Sequence, residues 1–306
     1  MLVSIILPNY NHADYLEERI QSVLNQSCKN LEIIILDDCS TDDSKKVIER
    51  YSDNKSVSHI IYNDKNSGST FKQWEKGFEL AKGDYIWIAE SDDCCDKEFL
   101  KTLVNKLNSP DVVLAFTRSM QINEQGKELG VFATQKDLNE NMRLDGADFI
   151  KYYLSKSNIV VNASSAIFRR KALMDIEMNF MEFKGCGDWL FWIYLAELGS
   201  VVYEPTPLNY FRQHSVNATK GLHLSGNNSK EVHKVYEYLC LGGYLSRIRK
   251  IRFRLVRLIS YLSSSQFRDE LILKDVLREW RFSWWEYVVV SPFVFYYRVL
   301  TKLFRC

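Results

Sequence analysis

Short apolar runs alternate with amphipathic segments along the first third of the chain. Runs with the length and composition of buried strands cover residues 3–7, 31–36, 57–62 and 85–89. Apolar positions at helical spacing follow the first run, at Leu16, Ile20, Val23 and Leu24. Two further helices are expected, one from Ser40 or Asp42 to Tyr51 and one over 70–81. This alternation predicts an α/β fold with a doubly wound, mainly parallel sheet flanked by helices.

The middle of the chain is harder to interpret. We expect a helix over 97–107, a strand over 111–116, irregular structure over 119–145 and a helix over 145–153. Later segments predict a strand over 162–168, a helix beginning at Asp188 and a strand over 201–203. We therefore divide the chain into two halves of one domain, 1–108 and 109–224, and a helical C-terminal appendage, 225–306.

The appendage differs from the rest of the chain in charge. Residues 231–306 contain 14 Lys or Arg and 7 Asp or Glu, whereas the whole chain has a net charge of only +1. A helix over 248–262 has one apolar face, and arginines occupy most of its remaining surface. Such a helix can lie on an anionic bilayer or pack on the body with a solvated basic face, and we weigh the two equally. The membrane is slightly favoured by a set of aromatic rings that would fit a core equally well, namely Trp280, Trp284, Trp285, Tyr287, Tyr296 and Tyr297.

Composition indicates a globular protein of a reducing compartment. The chain has 306 residues and 46% apolar content, which is ample for a core. Its seven cysteines show neither a disulfide framework nor a zinc motif. Met1 leads directly into a strand, and the apolar run over 287–297 is too short to span a bilayer. We expect a cytoplasmic protein, either soluble or peripheral on the inner face of the plasma membrane.

Three polar turns follow predicted strands directly. They contain Pro8-Asn9-Tyr10-Asn11, Asp37-Asp38 and Asp92-Asp93. Open parallel sheets bind ligands beyond the carboxyl ends of their strands, so these turns converge on one edge. Neither a dinucleotide glycine motif nor a phosphate loop is present, which disfavours a dinucleotide enzyme or a nucleoside triphosphatase. Acidic turns in place of glycine loops indicate that a metal neutralises phosphate charge.

Carboxylates are most concentrated after the run over 85–89, at Glu90, Asp92, Asp93 and Asp96. They repel one another unless a cation neutralises them, which favours a hard metal with oxygen ligands. Alternatively, they only cap the following helix, and the local sequence does not decide between these two interpretations. Asp188 is ambiguous in the same way, and its local context favours a simple helix cap.

Six motifs, in order, resemble those of the family 2 inverting glycosyltransferases with the GT-A fold. They are Pro8-Asn9-Tyr10-Asn11, Asp37-Asp38-Cys39-Ser40-Thr41-Asp42, Asn66-Ser67-Gly68, Gly83-Asp84-Tyr85-Ile86, Ser91-Asp92-Asp93 and Gly187-Asp188-Trp189. Each motif is weak alone, whereas six in order at plausible spacing are specific. The resemblance covers residues 1 to about 220, and it implies that 1–108 bind a nucleotide sugar and that 109–224 bind the acceptor.

The resemblance also implies roles for single residues. Asp188 is the general base, Asp93 ligates Mn²⁺ or Mg²⁺, and Asp92 lies beside the ribose or a metal-bound water. Asp38 accepts a hydrogen bond from the base of the donor, with uracil favoured. His214 matches a position that faces the diphosphate or the metal in some members. The remaining nucleotide-site residues are Pro8, Asn9, Tyr10, Asn11 and Asp37.

This sequence departs from the family pattern at two places. Gly187 stands where many members have Glu, and Trp74-Glu75 stands where many have Arg-Asn, so Lys72 is the candidate for the phosphate contact. The leading hypothesis is a metal-dependent transferase that moves a sugar, preferably from a UDP-sugar, to a saccharide or lipid-linked acceptor of a surface polysaccharide. The departures motivate an alternative, a catalytically inert sugar-nucleotide-binding or scaffolding subunit. A nucleotidyltransferase is disfavoured because its phosphate loop is absent, and no feature indicates a nucleic-acid partner.

Overall fold

A computed structural model of the chain describes residues 1–213, 225–263 and 270–303, with side chains described as far as residue 296. The chain divides into two compact units. The first unit comprises residues 1–183 and 187–215, and the second comprises residues 184–186 and 216–306.

The first unit is built on one sheet of ten strands among the described residues. In chain order these are β1 (Val3–Asn9), β2 (Leu31–Asp37), β3 (Val57–Tyr62), β4 (Tyr85–Ile88), β5 (Cys94–Cys95), β6 (Val112–Ile122), β7 (Glu128–Val131), β8 (Met142–Leu144), β9 (Ala166–Arg169) and β10 (Ser200–Arg212). The helices of this unit are α1 (Ala13–Leu24), α2 (Ser44–Glu49), α3 (Thr70–Leu80), α4 (Phe99–Lys106), α5 (Gly146–Phe149) and α6 (Gly187–Glu197). Each of the first three strands is followed by one of the first three helices, which confirms the predicted α/β alternation.

The sheet has a parallel half and a mixed half. Its strand order is β3-β2-β1-β4-β9-β6-β10-β5, with β7 beside β6 and β8 beside β10. Strands β3, β2, β1 and β4 are all parallel, whereas β9 runs antiparallel to both of its neighbours, β4 and β6. The predicted fold class is confirmed, and the second half of its sheet is more mixed than the sequence indicated.

Apolar strands place the core beneath the polar turns. Every residue of β1 and β4 is buried, and α1 packs Leu16, Ile20 and Val23 into the same core. Because β1, β2 and β4 are parallel, the residues after their carboxyl ends meet at one edge, and Asn9 is in register with Asp37. The predicted convergence of the polar turns on one sheet edge is confirmed for these strands.

Three sequence predictions in the second half are wrong. The strand predicted over 162–168 begins only at Ala166, because residues 163–165 form a 3-10 helix. The segment 119–145 is not irregular, because it contains the end of β6 together with β7 and β8. The strand predicted over 201–203 extends across 13 residues despite Pro205 and Pro207. Both prolines lie among shifts in the register of β10 on β6, where the missing N–H groups break no regular ladder.

The second unit is helical in its described part. Its helices are α7 (Asn227–Leu241), α8 (Arg247–Ser263), α9 (Glu270–Trp280) and α10 (Trp284–Leu303). Trp280 is fully buried against aromatic rings and donates its indole N–H to the carbonyl of Ser229 at 3.1 Å. Arg254 of α8 pairs with Glu286 of α10 at 2.6 Å. Within the described ranges, no helix is both long and apolar enough to cross a bilayer.

Candidate active site

The turns after β1 and β2 are joined through Asp37. Its carboxylate is 3% exposed and accepts hydrogen bonds from Asn9 Nδ2 at 2.7 Å and from the backbone N–H of Ser40 at 2.9 Å. Asn11 and Cys39 have φ angles of 56° and 64°, in the left-handed region that non-glycine residues rarely adopt. The structure thus assigns Asp37 and Asn9 a part in shaping this edge of the sheet.

Asp38 connects three segments around the same edge. Its Oδ1 accepts hydrogen bonds from Asn63 Nδ2 at 2.5 Å and from Gln73 Nε2 at 2.9 Å, while its Oδ2 accepts one from the hydroxyl of Ser67 at 2.8 Å. The backbone N–H of Ser67 also donates to both oxygens, at 2.9 and 3.0 Å, so hydrogen bonds within the chain already occupy the lone pairs of this carboxylate. Contact with a base would require one of these hydrogen bonds to be exchanged. The assignment of Asp38 to uracil stays a prediction.

The other predicted nucleotide residues differ in exposure. Pro8 is buried in β1, whereas the side chain of Tyr10 is 45% exposed at the mouth of the turn. Asn11 accepts a hydrogen bond from the backbone N–H of Thr41 at 2.7 Å, and the two residues line a cleft of 410 Å³. Lys72 is exposed on α3 and donates to the carbonyl of Ser67 at 3.3 Å. Tyr10, Asn11 and Lys72 are the exposed members of this group, so their side chains are accessible to a ligand.

Asp93 is held from two distant parts of the chain. It is 1% exposed, and its oxygens accept hydrogen bonds from Asn162 Nδ2 at 2.6 Å and from the backbone N–H of Arg212 at 2.9 Å. Burial raises the pKa of Asp93 to about 7, and the charge of the adjacent Asp92 also raises it. Asp92 itself is only partly buried. Asp93 is therefore a fixed carboxylate whose ionised form needs positive charge.

Trp74, the residue of α3 that departs from the family pattern, forms a hydrogen bond with Glu90. The indole N–H of Trp74 donates to Glu90 Oε1 at 3.0 Å, and Trp74 packs among Phe71, Phe180 and Phe191. Burial raises the pKa of Glu90 to about 8, with a further contribution from the charge of Asp92. The departure at Trp74 thus supplies a hydrogen bond to the acidic turn after β4.

Asp188 lies in the first turn of α6. Its oxygens accept hydrogen bonds from Asn158 Nδ2 at 2.8 Å and from the backbone N–H of Trp189 at 2.7 Å. A Cβ atom on Gly187 would lie 2.5 Å from the carbonyl oxygen of Phe180 and 2.8 Å from the ring of Phe71. The position before Asp188 therefore cannot carry the Glu of other members in this packing, and the glycine is a steric requirement.

Three residues at this edge were missed from the sequence. Asn162 and Arg212 hold Asp93, although they are 69 and 119 residues away from it along the chain. Arg19 of α1 is fully buried over the ring of Trp87, and its guanidinium has no hydrogen-bond partner within the described ranges. Only Arg19 left a signal in the sequence, because it is a charged residue in the apolar stripe of a helix.

The donor set at Asp92-Asp93 fits a divalent cation in part. Across 1–213, 225–263 and 270–303, no cluster of three or more His, Cys, Asp or Glu residues is arranged to hold a metal. Mg²⁺, however, is often held by one or two carboxylates together with substrate phosphates, and carboxylate oxygen also suits Mn²⁺. The buried Asp93 carboxylate, with Asp92 next to it in the chain, fits that pattern. His214 lies outside the described residues.

Comparison with known proteins identifies the family. The model described as "Glycosyl transferase family 2" matches residues 4–176, more than half of the chain. The chain belongs to glycosyltransferase family 2. Proteins of similar sequence include TuaG of Bacillus subtilis (strain 168), which is named as a putative teichuronic acid biosynthesis glycosyltransferase. It is 27% identical over 202 residues, which are 66% of this chain and 75% of TuaG. An uncharacterized glycosyltransferase of Haemophilus influenzae is 26% identical over 95% of this chain and 88% of its own length.

Solved structures of similar fold extend over nearly the whole chain. S. aureus TarS 1-349 in complex with UDP-GlcNAc has a TM-score of 0.72 and 19% identity, and the match covers 98% of this chain and 88% of that one. The mannosyltransferase PcManGT from Pyrobaculum calidifontis, in complex with GDP-Man and Mn²⁺, has a TM-score of 0.58 and 13% identity over 98% of this chain and 83% of its own. The GT-A fold expected from the motifs is confirmed, and the protein is a glycosyltransferase.

Proposed function

We propose that this family 2 glycosyltransferase is an inverting, metal-dependent enzyme that takes its sugar from a nucleotide sugar, preferably a UDP-sugar. The observation that carries the proposal is the buried Asp93 carboxylate, held by Asn162 and Arg212 after β4 within a family 2 domain. TarS in complex with UDP-GlcNAc supports the choice of a UDP-sugar.

Asp188 is the proposed general base. Its carboxylate takes the proton from an acceptor hydroxyl while that oxygen forms a bond to the anomeric carbon of the donor sugar. The bond between this carbon and the diphosphate oxygen breaks in the same displacement, which inverts the anomeric configuration. The hydrogen bonds from Asn158 and Trp189 orient the carboxylate for this role.

The donor would lie at the edge formed by the turns after β1, β2 and β4. Asp93 would hold Mn²⁺ or Mg²⁺, with Asp92 beside it, and a bound cation supplies neutralisation of charge on the departing diphosphate. Asp38 would contact the base, and Tyr10 and Asn11 would line the nucleotide pocket. The remaining proposed contacts are Pro8, Asn9, Asp37 and Lys72.

The acceptor is proposed to be a saccharide or a lipid-linked saccharide in surface polysaccharide synthesis. TuaG, named for teichuronic acid biosynthesis, supports this class of pathway. The second unit supports a peripheral location on the inner face of the plasma membrane, because α8 exposes Arg247, Arg249 and Arg252. Exposed apolar and aromatic side chains on α10 add to this support, and they are Trp284, Trp285, Val288, Val289, Phe293, Phe295 and Tyr296.

A donor screen tests the proposed function. Purified protein is heated with Mn²⁺ and each of a series of UDP-, GDP- and dTDP-sugars, and the unfolding temperature and release of nucleoside diphosphate are measured. We expect at least one donor, a UDP-sugar, to raise the unfolding temperature and to be hydrolysed slowly in the presence of Mn²⁺. Failure of every donor to bind or turn over would contradict the proposal. Binding without any turnover would favour the inert binding subunit.

A further inference from the structure

Glu231 binds three consecutive backbone N–H groups. It lies on α7, is 9% exposed, and its carboxylate accepts hydrogen bonds from Lys184, Gly185 and Cys186 at 2.7, 2.8 and 2.9 Å. Hydrogen bonds to a charged acceptor are stronger than those between neutral groups. The side chain of Glu231 therefore fixes the backbone conformation of residues 184–186.

A second side chain of α7 binds the same segment. Asn228 lies three residues before Glu231, so the two share one face of the helix. The thiol of Cys186 donates to Asn228 Oδ1 at 3.0 Å. The segment 184–186 belongs to the second unit, although the residues on either side of it in the chain, Phe183 and Gly187, belong to the first.

The segment leads directly into the proposed general base. Cys186 is followed by Gly187 and Asp188, the first two residues of α6. Gly185 gives this part of the backbone more conformational freedom than another residue would. Gly187 is packed closely against Phe180 and Phe71, so the backbone that depends on the three hydrogen bonds to Glu231 is that of residues 184–186.

We propose that Glu231 is a positioning residue for Asp188. By holding the backbone of residues 184–186, its carboxylate determines where the first turn of α6 begins and hence where the carboxylate of Asp188 lies. The inference rests on the proposed role of Asp188 as general base. Both residues lie beyond the part of the chain, 4–176, that the family model matches. Glu231 then contributes to catalysis through the backbone that leads to Asp188.

Two variants of Glu231 in the full-length protein test the inference. Glu231→Ala removes all three acceptor contacts, whereas Glu231→Gln keeps one acceptor oxygen. Glu237→Gln is the matched control, because Glu237 is an exposed residue of the same type on the same helix. Three quantities are measured: hydrogen exchange of the amides at 184–186, kcat with the UDP-sugar selected by the donor screen, and Kd for UDP with Mn²⁺.

We expect Glu231→Ala to accelerate exchange at 184–186 and to lower kcat by about 10- to 100-fold, because small misplacement of a reacting group has effects of this size. The Kd for UDP should stay within about twofold of wild type, since the contacts of Glu231 involve none of the proposed nucleotide residues. Glu231→Gln should give a smaller loss of kcat, and Glu237→Gln should match wild type in all three measurements. If Glu231→Ala fails to fold, Glu231→Gln carries the same comparison.

Wild-type kcat or unchanged exchange in Glu231→Ala would overturn the inference. An equal loss of kcat and of UDP affinity would also overturn it, because that pattern indicates general damage to the fold. A different result would contradict the proposed function. Wild-type turnover in Asp188→Asn would contradict the role of Asp188 itself, whereas an inactive Asp188→Asn beside a fully active Glu231→Ala would contradict only the positioning role.

Discussion

Asp93 combines deep burial with the chemistry of a divalent-cation ligand. Loss of solvation and the nearby Asp92 both oppose its ionisation, and together they raise its pKa to about 7. A bound cation acts in the opposite direction and favours the ionised form. The orientation of the same carboxylate is fixed by hydrogen bonds from Asn162 and Arg212.

Asp93→Asn should remove the effect of Mn²⁺ on nucleotide binding. The variant keeps the shape of the side chain but loses the charge, so UDP affinity in the presence of Mn²⁺ should fall about tenfold or more, which is about 1.4 kcal/mol. Titration calorimetry of UDP with and without Mn²⁺ measures this. Asp64→Asn, at an exposed loop position, serves as control. Retention of the Mn²⁺ enhancement in Asp93→Asn would exclude Asp93 as a ligand.

For single residues, the sequence predicts the candidate carboxylates of the site but not the residues that donate hydrogen bonds to Asp93. Asp38, Asp93 and Asp188 were found from strand ends and family motifs, which are local features. Asn162 and Arg212 reach Asp93 only because β9 and β10 fold back beside β4 and β5, and no local pattern records such contacts between distant residues.

The sequence predicts a secondary-structure element where burial leaves a clear apolar pattern. The parallel strands β1, β2 and β4 are buried along nearly their whole length and are therefore continuous apolar runs in the sequence. Strands β7 and β8 are three or four residues long and contain no buried position, so they leave no such run. The sequence therefore gives no sign of the strands within 119–145.

A substitution at the start of α6 tests whether the packing there requires a glycine at position 187. Gly187→Ala should destabilise the protein by about 1 to 3 kcal/mol, because the added methyl group meets the carbonyl of Phe180 and the ring of Phe71 at distances that require displacement. Chemical denaturation measures the change. A variant as stable as wild type would show that this packing can adjust, and the family Glu could then be accommodated at this position.

At the scale of the whole molecule, the chain combines a transferase domain with a basic helical unit. Charge distribution in the sequence indicated the basic character of this region, but it did not show which faces of the helices are exposed. On α10 the seven exposed apolar and aromatic side chains fall within one half of the helix circumference, and the buried Glu286 and Val290 lie in the other half. Such a face is suited to the headgroup region of a bilayer.

The protein should bind anionic vesicles, and salt should weaken that binding. Replacing Arg247, Arg249 and Arg252 together by Glu should lower the partition coefficient by about 100-fold or more, since each basic residue near the surface contributes about 1 kcal/mol. Lys45→Glu with Lys46→Glu, on the exposed part of α2, is the matched charge control. Vesicle sedimentation measures the partition coefficients of both variants. Equal binding to neutral and anionic vesicles, or binding to neither, would contradict the membrane proposal.

The central claim is that Asp188 removes the proton from the acceptor, and comparing turnover with donor binding in Asp188→Asn tests it most directly. The amide keeps the size of the side chain but cannot accept the proton. We predict that kcat for nucleoside diphosphate release falls by about 10³-fold or more, with Kd for the donor in the presence of Mn²⁺ within about twofold of wild type. Near wild-type kcat, or a large loss of donor affinity, would contradict the assignment.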